Sequence, residues 1–293
     1  MKDIFKTYFG GNKFRWFLLA VVSVGLFTGL VLVKWNQDIR REAATLTAVY
    51  SFSTSTIKVV PGSNFSVSII LATGGQGIVG SDVLVRLDNT RHRLVTMNKS
   101  TNTSFNNIFK TYAPIKTDCS FDTAKVVNTA NTSGLIEFGV VAFDPVDTNC
   151  TSTPSSNGSL TGTFNGTANV ASLTFEAKPA VGDSVIRYVP SNGYSDTGYT
   201  STTDSNVVIA QTSANPEDIL QTPSSVVTVS YCYDFAGGSS VNIGDIQLVA
   251  AGYGHTPTTP STKYQARFDL NNNQRIDIGD IQPVAGQYGK SCL

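Results

Sequence analysis

The strongest constraint in the sequence is a duplication near its end. IGDIQLVAAGYG (243–254) and IGDIQPVAGQYG (278–289) agree at 9 of 12 positions, at an offset of 35 residues. Identity of that density within one chain marks an internal repeat, so this stretch folds as two copies of one small unit. Each copy follows a polar loop, DFAGGSSVN in the first and DLNNNQRID in the second. The shared IGDIQ…VA…YG run reads as a helix, and Pro283 falls near its start in the second copy, where a missing N–H costs little.

The second loop has the spacing of a calcium site. Calcium is a hard cation that takes about six to eight oxygen ligands, and a wrapping loop of the EF-hand type supplies them from positions 1, 3, 5, 7, 9 and 12. Counted from Asp269, those positions are Asp269, Asn271, Asn273, the Arg275 carbonyl, Asp277 and Asp280. Ile276 at position 8 is apolar, as a residue turned into a small core should be. Gln274 stands where the tight turn prefers glycine, which predicts backbone strain there. The first loop aligns as Asp234, Asn242 and Asp245 at positions 1, 9 and 12, but Ala236 and Gly238 offer no side-chain oxygen. It is expected to hold calcium weakly or not at all, with Asp234 and Asp245 serving instead as turn and helix caps.

At the other end, WFLLAVVSVGLFTGLVLV (16–33) carries no charge. At about 1.5 Å rise per residue it nearly spans a hydrocarbon core of roughly 30 Å. Trp16 and Trp35 flank it as interfacial anchors, and the sequence after it, KWNQDIRRE, offers no close cleavage site. The reading is a retained transmembrane helix. The formal net charge is zero, yet residues 1–42 hold seven basic and three acidic residues, leaving 14 and 18 in the remainder. The basic flank places the N-terminus (1–15) in the cytoplasm and the main body outside, joined by a linker at 34–44. An acidic exterior excludes nucleic-acid binding, which needs clustered Lys and Arg. All four cysteines lie after the span and none forms a C-x-x-C pair, so they read as two disulfides. The neighbours in sequence are Cys119 with Cys150 and Cys232 with Cys292, although spacing alone leaves the connectivity open.

Residues 45–231 are rich in Ser, Thr, Asn, Val and Gly and show no convincing helical period. Short alternating runs place Phe65, Val67, Ile69 and Leu71 on one face, then Val83, Val85 and Leu87, then Ala171, Leu173 and Phe175. Asp82, Leu84, Arg86 and Asp88 are expected outward. SVVTVSY (225–231) reads as a closing strand. Turn signals at PGSN (61–64) and GGQG (74–77) separate the runs, so the expected fold is mainly β, a two-sheet sandwich.

The order VVPGSNFSVSIIL, GIVGSDVLVRLD, GLIEFGVVAFDP, ANVASLTFEAKPAVGDSVIRYV and VVTVSY resembles the cohesin family and its carbohydrate-binding relatives over residues 45–231. That resemblance implies a nine-stranded jelly roll used for protein–protein contact, or in the relatives for glycan contact. The duplicated loops and helices over 232–290 resemble a type I dockerin module. In that family the two repeats are related by a near two-fold, which brings Cys232 and Cys292 together as a clasp.

Both tryptophans flank the span, so the exterior has no Trp platform for stacking on sugars. Tyr188, Tyr194 and Tyr199 are the candidates for an aromatic ligand surface. No G-x-S-x-G, H-E-x-x-H, P-loop or dinucleotide fingerprint occurs. The carboxylates Asp82, Asp144, Asp147 and Glu176 show no spacing that selects a catalytic pair. The expectation is a non-catalytic, membrane-anchored surface protein that attaches to a protein partner bearing a cohesin- or dockerin-like module. The alternative is a carbohydrate-binding component of a polysaccharide-degrading system.

Overall fold

In the computed structural model, residues 46–144, 159–189, 205–209, 217–221, 225–258 and 262–293 are described. The apolar stretch 16–33 and its flanks, Asp147, Cys150, Tyr194 and Tyr199 lie outside them. Among the described residues no helix is long and apolar enough to cross a membrane.

Alternation of period two dominates the body and builds two sheets. The first has four strands in the order β1 (Val49–Phe52), β3 (Asn64–Ala72), β10 (Thr167–Ala177) and β5 (His92–Lys99), with all neighbours antiparallel. Along β3, Phe65, Val67, Ile69 and Leu71 are buried, and Leu173 and Phe175 of β10 lie across from Val67 and Phe65, as the alternation predicts. Ser66, Ser68, Ser172 and Thr174 occupy the opposite face and bond to one another across the strands.

The second sheet centres on β4 (Ile78–Arg86), which pairs with β7 (Leu135–Val141) on one side. On its other side lie β12 (Asn206–Ile209) and β11 (Ser184–Tyr188). Next to β11 comes β14 (Val226–Tyr231), which pairs in parallel with β2 (Thr56–Val59). β6 (Thr111–Ala113) extends the β7 edge, β13 (Glu217–Asp218) caps β12, and β8 (Phe143–Asp144) pairs with β9 (Ser159–Leu160). Among the described residues the fourteen strands exceed the nine that the resemblance implies. Between the sheets, Tyr188 stacks on Tyr50 and Phe52, and Phe65 on Phe175.

Two features depart from the expectation. Leu84 does face outward from β4, yet it is buried, because Leu135 and Val189 pack over it on the outer face. The body also contains helices, α1 (Thr103–Ile108) and α2 (Thr123–Ser133). TAKVVNTANTS carries β-branched and Asn residues of weak helix propensity, which hides its period. Its ends are explicit, however. The Asp122 side chain accepts the Lys125 N–H, and Gly134 closes the helix in the left-handed region at φ 73°. Val126 and Ala130 are its buried side.

After β14 the chain enters the duplicated segment, with helices α3 (Ile243–Ala250) and α4 (Ile278–Gly286) packed together and a disulfide joining Cys232 to Cys292. Residues 46–293 form one compact unit.

Candidate metal-binding loops

Each loop is built around the same backbone turn. Position 6 takes a left-handed conformation in both, Ser239 at φ 71° and Gln274 at φ 63°. In both, its N–H donates to the position-1 carboxylate, Asp234 Oδ2 in one loop and Asp269 Oδ2 in the other, each at 2.8 Å. The expected strain at Gln274 is therefore present, and that bond is what holds it. Position 4 is also left-handed in both, Gly237 at 79° and Asn272 at 56°.

The far end of each loop doubles as a helix cap. Asn242 and Asp277 are the N-caps of α3 and α4, accepting from Gly244 N and Gly279 N, and Asp245 and Asp280 complete capping boxes. Both position-12 aspartates are fully buried and reach back across the loop. Asp245 Oδ1 accepts from Ala236 N, and Asp280 Oδ1 accepts from Leu270 N, each at 2.7 Å. Capping and loop closure thus use the same carboxylates, so the cap role and the ligand role do not exclude one another.

Burial also pairs the repeats. Val241 and Ile276 at position 8, and Val249 and Val284 in the helices, form the shared core. Gly254 N donates to Ile276 O, and Gly289 N to Val241 O, so each helix end is tied to the other loop. The two repeats thus exchange equivalent hydrogen bonds.

In the second loop, Asp269 is almost wholly buried and accepts from Asn273 N at 3.1 Å and the Tyr264 hydroxyl at 2.9 Å. Asn271 and Asn273 oxygens accept N–H groups two residues on, and Asn273 Nδ2 donates to Asp277 Oδ2 at 2.9 Å. Burial raises the Asp280 carboxyl above its usual range, with Asp269 as a like charge adding to it, against backbone bonds that lower it. Tyr264 is pushed up to about 12 by desolvation and by its bond to Asp269. A cation among these oxygens would offset that accumulation of negative charge. Among the described residues no three His, Cys, Asp or Glu side chains stand close enough to hold a metal by themselves. The amides of Asn271 and Asn273 and the Arg275 carbonyl are therefore needed to complete an oxygen shell. In the first loop, Asp234 Oδ1 is buried without a hydrogen-bond partner. A buried orphan carboxylate oxygen is costly, and a cation is the natural partner for it.

A second feature was not legible before the fold. Ile243 and Ile278 are 57% and 58% exposed, and Tyr253 and Tyr288 are 55% and 63% exposed. These are equivalent positions of the two repeats. The duplication itself was the available signal, since the helix core uses other residues. Of the proposed aromatic ligand surface, Tyr188 is in the core, 3% exposed, with its hydroxyl on Ser51 O at 2.9 Å. It presents no ligand face. Cys119 is disulfide-bonded, and no described cysteine is free.

Fold and loops together define a β-sandwich that carries a duplicated loop–helix module. No protein-family model matches the chain, and no curated protein matches it. Among solved structures, the chain is similar to a type III cohesin module from the cell-surface anchoring scaffoldin of Ruminococcus flavefaciens. That likeness has 7% identity and a TM-score of 0.39, over 65% of this chain and 90% of that one. It is also similar to a chain of a type I cohesin–dockerin complex from Clostridium thermocellum, at 14% identity and TM-score 0.34, over 62% and 99%. A cohesin module from a family 33 glycoside hydrolase of Clostridium perfringens matches at 12% identity and TM-score 0.35, over 64% and 98%. TM-scores this low carry no weight in the functional reading.

Proposed function

We propose that the chain is a non-catalytic, membrane-anchored surface protein that attaches to a protein partner through a calcium-ordered, dockerin-like module held on a cohesin-like sandwich. The observation that carries this reading is the repeated loop geometry. Two position-1 aspartates take the position-6 N–H, and two buried position-12 aspartates close the loops. Asp269, Asn271, Asn273, the Arg275 carbonyl, Asp277 and Asp280 would hold the stronger ion. Asp234, Asn242 and Asp245 would hold the weaker one. The ion supplies a rigid cross-link across each loop, fixing the angle at which α3 and α4 present Ile243, Ile278, Tyr253 and Tyr288. Matched exposed apolar residues of this size mark a contact face. The apolar stretch 16–33 and its basic flank support the anchoring, with the main body outside.

The test is thermal unfolding of the full-length chain in calcium and in chelator. Calcium at about a hundred times its Kd should stabilise the chain by roughly 2.7 kcal/mol per saturated site. Asp269→Ala should remove most of the response and Asp234→Ala a minor part. An unchanged midpoint on adding calcium to the stripped protein would refute the calcium reading. Capture of a partner from the cell envelope, lost in chelator and in an Ile243→Asp, Ile278→Asp double variant, tests attachment separately.

A further inference from the structure

Tyr264 stands ahead of the second loop, outside the positions that supply its oxygens. A single 3₁₀ turn, Ala266–Phe268, folds the segment back so that it meets the first ligand of the loop. Phe268 anchors that turn, buried and edge-on to Phe235 with ring centres 5.0 Å apart. Asp269 N closes the turn on Ala266 O at 3.2 Å. The Tyr264 hydroxyl then donates to Asp269 Oδ2 at 2.9 Å.

The two oxygens of Asp269 are loaded unequally. Oδ2 accepts from Gln274 N at 2.8 Å as well as from Tyr264, whereas among the described residues Oδ1 accepts from Asn273 N alone, at 3.1 Å. A carboxylate oxygen offers about two lone pairs. Oδ2 is therefore saturated, and the capacity left for a cation lies on Oδ1. The first loop is built differently. The offset of 35 residues puts Val229 where the second repeat has Tyr264, and Val229 is buried in β14. Asp234 Oδ2 accepts from Ser239 N, and its Oδ1 has no partner. No phenol acts on that carboxylate, and both of its oxygens keep spare capacity.

We infer that Tyr264, given the calcium reading of this loop, is a positioning residue that raises the affinity of the second site by fixing which Asp269 oxygen is offered to the ion. A ligating carboxylate held by an outer hydrogen bond is oriented before the ion arrives. Losing such a partner costs about ten- to hundredfold in metal affinity. Tyr264 has no counterpart in the first repeat, so it makes the two sites unequal beyond the difference in their ligands.

Calcium titration calorimetry of the full-length chain, read at its tighter site, measures the effect. Tyr264→Phe keeps the ring and removes only the hydroxyl, and it is expected to weaken calcium by about tenfold or more. A merely structural hydroxyl would instead lower stability equally with and without the ion. The urea midpoint in chelator is therefore expected to be the same in the two chains, while the midpoint in limiting calcium falls. Terbium in place of calcium adds a spectroscopic signature, because an excited tyrosine beside the ion sensitises its emission. With one equivalent bound, Tyr264→Phe should remove most of that emission. Equal calcium affinity in the two chains would overturn the role of Tyr264 and leave the calcium reading standing. So would undiminished terbium emission, or a fall of the midpoint in chelator as large as that in calcium. No calcium binding by the unaltered chain would overturn the calcium reading, and the role of Tyr264 with it.

Discussion

His92 is wholly buried, with Nε2 bonded to the Ser184 hydroxyl, its ring stacked 5.9 Å from that of Tyr231, and Phe65 edge-on at 5.5 Å. Its Nδ1 has no partner. Burial drives its pKa down to about 4, with Arg91 and Lys178 pushing the same way and Asp88 opposing. In the unfolded chain it titrates near 6.5. Above that pH both states are neutral and the residue contributes no pH dependence. As pH falls from about 6.5 to 4, the unfolded chain takes up a proton that the folded chain refuses, so stability is lost through that window. The loss should reach about 2 kcal/mol at pH 5. Urea unfolding at pH 7 and pH 5 measures it, and a His92→Phe variant should show a correspondingly shallower pH dependence. An identical slope in the variant would assign the acid lability to other groups.

Elements are held as much by their ends and edges as by their faces. β5 closes the smaller sheet, and an open strand edge invites pairing with another chain. Asn131 of α2 blocks it by accepting from Leu94 N at 2.8 Å and donating to Leu94 O at 3.0 Å. Asn131→Ala should cost about 1 to 3 kcal/mol. It should also raise the rate of association in light scattering, an outcome that loss of stability in the same strand without the edge exposed would not give. This element was invisible to the alternation that located β3, β4 and β10. Strand patterns are written in every second residue, and Phe65, Val67 and Ile69 display them openly. α2 is written only in its caps, Asp122 and Gly134, and in two buried positions, Val126 and Ala130. The loop ligands were legible because oxygen spacing is a sequence property. The pairing of Leu84 with Glu137 was not, since register between distant strands decides it, and neither was the burial of Leu84.

At the scale of the whole molecule, the duplicated module is sewn to the sandwich. Gln287 Nε2 donates to Tyr231 O at 2.8 Å, while its Oε1 accepts from Tyr233 N at 3.2 Å, so one side chain grips both sides of Cys232. Asn272 Nδ2 donates to Pro179 O at 3.0 Å, and Tyr233 presents its hydroxyl to Ala180 O at 3.2 Å. Lys58 of β2 holds the other end of the module through Ser291 O and Leu293 O. The Cys232–Cys292 bond closes a separation of 60 residues. A loop of that size restricts the unfolded chain by about 4 kcal/mol in the chain-entropy account. These links predict that both parts unfold in one calorimetric transition, since neither can open without breaking bonds to the other. Removing Gln287 and Asn272 together leaves the disulfide and both cores intact but cuts three of these six hydrogen bonds. The Gln287→Ala, Asn272→Ala variant should split the single transition into two, of which only the module's should respond to calcium. Two transitions already present in the unaltered chain would mean that the seam is too weak to couple the parts. In that case the contact face on α3 and α4 would be presented by a tethered module free to turn, and not at the fixed angle set by the sandwich.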